Sequence, residues 1–168
     1  PPAQTTPAPP RPEPRPVEPD VAALEARLES NPADAALVYE LAPVYFRQGD
    51  FEAARKILSG LIAKRPRETQ GIFLLAKAEF FLKDYKAALR KFRDLSRPSR
   101  DSGPAGQDFG LRTALYTALC LINLNQRESA VTFINYVKKS TSPDELARVV
   151  REEGLTEYWD VLKIPVRR

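Results

Sequence analysis

Cys120 is the only cysteine of a 168-residue chain that contains no histidine and no methionine. A thiol becomes a nucleophile only when a neighbouring base or positive charge lowers its pKa, and the commonest such base is imidazole. Without histidine there is no Ser-His-Asp triad, no imidazole proton shuttle and no histidine metal ligand. A single cysteine forms neither an intrachain disulfide nor a thiolate zinc site. Cys120 is therefore expected to be a buried structural thiol. The adjacent carboxylates Glu152 and Glu153 would point about 100° apart on a helix, so they are not expected to share a substrate. No glycine-rich phosphate loop and no nucleophile elbow occurs. These residues predict a protein that is not an enzyme, with no cofactor and no metal.

The remaining chemistry is charge. The formal net charge of +4 divides unevenly, with four basic and nine acidic residues in 1–54, thirteen and four in 55–100, and nine of each in 101–168. Arg55, Lys56, Lys86, Arg90, Lys91 and Arg93 form a candidate basic face within the middle segment. Such a face could hold an anionic polymer through residues 55–100, which is one alternative function. Nucleic acid is disfavoured, because no base-reading module is present and aromatics are not interleaved with these charges.

The elements that would position these groups are helices. Nine of the sixteen prolines lie in residues 1–19, which hold no hydrophobe larger than Val17. That segment is expected to be a disordered proline-rich leader or linker, with residues 20–168 as one helical domain. Asp20 is a candidate N-cap before Val21, Leu24 and Leu28. Apolar residues then recur at helical spacing on either side of turns at Gly49-Asp50 and Lys83-Asp84. No segment alternates apolar and polar residues as a half-buried strand would, so the predicted class is all-α. No apolar run is long enough to span a membrane.

A repeat organises the helices. Pro32 and Pro66, Ala42 and Ala76, Asp50 and Asp84, Phe51 and Tyr85, and Ala54 and Ala88 are each 34 residues apart. Ala118, Ala130, Ile134 and Val137 continue the series at a spacing of 42 after Ala76, Ala88, Phe92 and Leu95. The eight extra residues are placed in a loop over Ser96–Gly110. Thr117 and Arg127 depart from the pattern in this third copy. On these residues the chain, over about 31–140, resembles the tetratricopeptide repeat family. The resemblance implies a right-handed α-solenoid of antiparallel helix pairs, with repeats at about 33–66, 67–100 and 108–141. A C-terminal cap is expected over 142–164, opening with Ser142 as N-cap, and Leu155, Tyr158, Trp159 and Leu162 should cover the end of the third repeat.

The same resemblance assigns a concave peptide groove to Tyr39, Phe46, Arg47, Phe73, Lys77, Phe80, Arg112, Leu115, Leu119 and Ile122. Tyr39 and Pro43 stand where relatives that recognise C-terminal carboxylates carry Lys and Asn, so that clamp is not expected. Pro43 falls inside a predicted helix, where it removes a backbone donor. The implied function is a non-catalytic protein–protein interaction scaffold whose partner is a protein, peptide or amphipathic helix. A secretion-type chaperone for hydrophobic client segments is a second alternative. The start without methionine and the proline-rich leader point to an exported, periplasmic or membrane-anchored setting, through an anchor upstream. The sequence assigns no homo-oligomeric state.

Overall fold

The computed structural model describes residues 20–96 and 105–162, the side chains of 105–109 excepted. The leader expected over 1–19 and the end of the cap beyond Leu162 lie outside the described residues. Helices α1 (Val21–Ser30), α2 (Ala35–Gln48), α3 (Phe51–Lys64), α4 (Thr69–Phe81), α5 (Tyr85–Leu95), α6 (Ala105–Asn123), α7 (Arg127–Ser140) and α8 (Pro143–Glu152) follow one another. A 3-10 turn at Thr156–Tyr158 and a single-turn α9 (Trp159–Leu162) close the series. No strand occurs among the described residues, and the fold is an all-α helical repeat.

Aspartates start four of these helices. The carboxylates of Asp20, Asp34, Asp50 and Asp84 accept hydrogen bonds from backbone N–H groups in the first turns of α1, α2, α3 and α5. The Ser142 hydroxyl does the same for Glu145 N at 3.2 Å. Each bond satisfies a donor that the helix itself leaves without a partner. The turns between paired helices share one conformation: Gly49, Lys83 and Asn125 all have left-handed backbones, with φ of 74°, 65° and 59°. In each, the next residue's N–H returns to a carbonyl in the last turn of the preceding helix, as in Asp50 to Tyr45 and Asp84 to Glu79, both 2.9 Å. This closure reverses the chain in two residues and sets the helices of a pair side by side.

Small residues let those pairs approach. Ala42, Ala54, Ala76, Ala88 and Ala118 have no exposed surface, and Ala130 has almost none. Two cores result. Leu24, Leu28, Leu37, Val38, Leu41, Leu58 and Leu61 build the first from α1–α3, while the second is built from α5–α8 and the C-terminal segment. Helix α4 serves both, giving Leu75 and Ala78 to the first and Phe73, Ala76 and Phe80 to the second.

One local expectation needs correction. Helix α6 begins at Ala105, so Gly106 and Gly110 lie within a helix and not in a loop reaching to Gly110. A helical glycine costs only about 1 kcal/mol relative to alanine, which the buried run 113–121 offsets. Pro43 lies inside α2 as expected, and the helix continues to Gln48 with the proline exposed to solvent.

Candidate interaction site

The residues expected to line one groove divide into two environments. Tyr39, Phe46 and Arg47 lie on α2, and Phe73, Lys77 and Phe80 on α4. Arg112, Leu115, Leu119 and Ile122 lie on α6. Phe73 and Phe80 are at most 4% exposed, and Leu115 and Leu119 are fully buried. These four therefore present no surface to a partner in this conformation. Sequence periodicity places them on the inward face, but the chain supplies its own cover.

Over Phe80 that cover is the segment following α8, whereas Phe73 packs against Phe92 and Tyr116. Leu155 is completely buried in the second core. The Tyr158 ring packs 5.7 Å from Phe80, and its hydroxyl lies beside Tyr85 and Asn123. At the other end, Glu153 is buried against α4 and α6. Lys77 Nζ is 2.7 Å from Glu153 Oε2, Arg112 Nε is 2.8 Å from Oε1, and the Tyr116 hydroxyl donates to Oε2 at 2.9 Å. The Arg112 Nε–H is not aligned for a hydrogen bond despite its proximity, so this contact is an ion pair only. Burial raises the Tyr116 pKa well above its ordinary value, and the neighbouring Glu153 charge raises it further. The phenol therefore acts here as a neutral donor.

Glu152 also reaches Arg112, at 3.3 Å. The two adjacent glutamates thus both reach Arg112. Helix α8 stops at Glu152, with Glu153 as its C-cap still in the right-handed helical region and Gly154 turning the chain at φ 71°. Glu153 and Tyr116 are the site residues that sequence reasoning missed. The one available signal was Gly154 directly after a helix, which marks where the chain turns.

The other environment stays partly open. Phe46, Phe51 and Phe81 are half-buried and form one aromatic patch. Phe51 stacks on Phe81 at 4.7 Å between centroids, and Phe46 meets them at 6.0 and 6.4 Å. Lys77 Nζ lies 5.0 Å from the Phe46 ring centre, so one ammonium faces both this patch and Glu153. Arg47 is exposed next to Phe46. Tyr39 behaves differently: its hydroxyl is buried beside Glu68 and Gly71 without an aligned hydrogen bond, and burial foremost raises its pKa. It braces α2 against the start of α4.

The sequence profile of the tetratricopeptide repeat family matches residues 21–78, the span from α1 into α4. Over this span the chain is similar to the tetratricopeptide repeat family. No curated protein matches it. Tetratricopeptide repeats are typically non-catalytic modules, and their presence supports a protein–protein interaction scaffold. Among the described residues no helix is long and apolar enough to cross a membrane, and no cluster of acidic, cysteine or histidine side chains could hold a metal ion.

On the opposite side of the repeats, the candidate basic face is already partly neutralised. Arg55 pairs with Glu52 at 2.7 Å and Lys91 with Glu79 at 2.6 Å. Lys56, Lys86, Arg90 and Arg93 are exposed. Cys120 is fully buried in α6, and burial, with a smaller contribution from the Glu79 charge, pushes its thiol up to about 12.

Proposed function

We propose that this protein is an interaction module that binds a peptide or short helix on the aromatic patch of its first two repeats. The observation that carries this reading is the Phe46–Phe51–Phe81 cluster with Lys77 over one ring and Arg47 beside it. Aromatic rings at an interface supply large contact area for little side-chain entropy, and flanking cations select acidic neighbours. The favoured ligand is accordingly an apolar anchor residue flanked by carboxylates. An export-type chaperone would use the same patch for client segments. An anionic polymer would instead use Lys56, Lys86, Arg90 and Arg93.

Selection from a random peptide library displayed on phage tests this reading. Enriched sequences should combine an aromatic or large aliphatic residue with nearby acids. The variant Phe46→Ala/Phe81→Ala, checked for folding by circular dichroism, should bind them at least tenfold more weakly, since losing one anchor commonly costs ~2 kcal/mol. Equal binding by that variant, with loss on charge reversal at Lys86 and Arg90, would move the site to the basic face. Phe73 and Phe80 are unsuitable for this test because their removal would damage the core.

A further inference from the structure

The segment Glu153–Tyr158 lies on the repeats as a bound peptide would. It supplies a carboxylate to Lys77, Arg112 and Tyr116, a buried leucine two residues on, and an aromatic ring against Phe80 three residues beyond that. Helix α8 has ended, and continuous α-helix resumes only for the single turn of α9. Its backbone bonds are local, from Glu153 N to Val149 O, Gly154 N to Arg151 O, Leu155 N to Val150 O and Tyr158 N to Leu155 O, and none of these reaches α4 or α6. What fastens it is three side chains, each in a seat built by α4 and α6 or the helices beside them. The carboxylate seat is also incompletely used. Arg112 Nε is buried without a hydrogen-bond partner. A carboxylate free to approach from another angle could satisfy more of that seat than Glu153 does, because Glu153 is constrained by the α8 terminus.

We propose that residues 153–158 are an intramolecular pseudo-ligand, and that the face they cover is a second binding surface. Its occupant in trans is a protein segment with the same chemistry: an acid, a leucine two positions later and an aromatic residue three positions after that. Release of the cover would bare Phe80, the ring against which Tyr158 packs. The proposal shares Lys77 with the aromatic patch but uses none of its three rings. It rests on Glu153, Leu155 and Tyr158, and none of these belongs to that patch.

A tethered segment competes at a high effective concentration, so an external peptide binds in proportion to the fraction of molecules whose cover is open. Weakening the cover without altering its seats should therefore tighten peptide binding. The probe is a fluorescein-labelled synthetic peptide of residues 152–160, Glu-Glu-Gly-Leu-Thr-Glu-Tyr-Trp-Asp, titrated by anisotropy against the full chain. Glu153→Gln and Tyr158→Ala should each bind it at least tenfold more tightly than the unmodified chain. A peptide carrying glutamine in place of the glutamate matching Glu153 should bind these variants at least tenfold more weakly. Hydrogen exchange on the unmodified chain gives a readout that needs no substitution. The Leu155 and Tyr158 amides should exchange through an opening that leaves the α4 and α6 amides protected. If both variants fold and neither binds the peptide, the proposal is wrong. It is equally wrong if those two amides exchange only with global unfolding. A dimer that forms as concentration rises, and that the peptide does not dissociate, would replace it with exchange of the segment between two copies.

Discussion

A thiol sealed in hydrocarbon gains nothing from ionising, and Cys120 illustrates the consequence for stability. An ordinary thiol titrates near 9, whereas Cys120 is pushed up to about 12 by burial and, secondarily, by Glu79. Between those values the unfolded chain has released a proton that the folded chain retains. Stability is therefore fully present below pH 9 and is lost as pH rises towards 12. The phenols of Tyr39, Tyr45, Tyr116 and Tyr158 are displaced in the same direction, so their contribution is lost above their ordinary value of 10. Urea midpoints should thus stay level from pH 7 to 9 and decline steadily above it, with Cys120→Ala removing the earliest part of the decline. A midpoint that held to pH 11 would show that these hydroxyls and the thiol are open to solvent. At neutral pH, thiol reagents should label the protein only as fast as it unfolds.

The helices carry their own record of how far the sequence can be read. Asp50 and Asp84 start α3 and α5 with side-chain caps, while Gln126 starts α7 without one. The backbone is nevertheless prepared at Gln126, with φ −97° and ψ 56° against −85° and 72° at Asp50. Gln126→Asp should therefore stabilise the domain by about 1 kcal/mol, and a urea titration would show it. An unchanged midpoint would mean that a capping bond does not form there. The 34-residue spacing made the aspartate caps, the buried alanines and the all-α class legible, because each is a local demand repeated at fixed intervals. The start of α6 was not legible, since Gly106 and Gly110 read as breakers until distant packing overrides them. Nor was the covering of Phe80 and Leu119. Periodicity reports which face of a helix is apolar, but it does not say whether a partner or the chain's own C-terminal end occupies that face. Glu153 escaped notice for a related reason: a charge beside a helix end acquires its role only from the turn that follows.

At the scale of the molecule, the family match and the folding unit have different edges. The profile ends at residue 78, within α4, which runs to Phe81 and lends side chains to both cores. A fragment cut at that edge would keep Leu75 in its proper surroundings while leaving Phe73 against water. It would also lose Phe80, together with the Glu79–Asp84 bond that closes the following turn. Expression of residues 21–78 alone should give a poorly soluble chain that binds hydrophobic dyes, whereas residues 20–162 should remain monodisperse in size-exclusion chromatography. A soluble, cooperatively melting short fragment would mean that α4 can stand with one side bare. Helix α4 is thus a party wall: neither household can be sold separately, and any dissection of this chain into modules has to keep both rooms that share it.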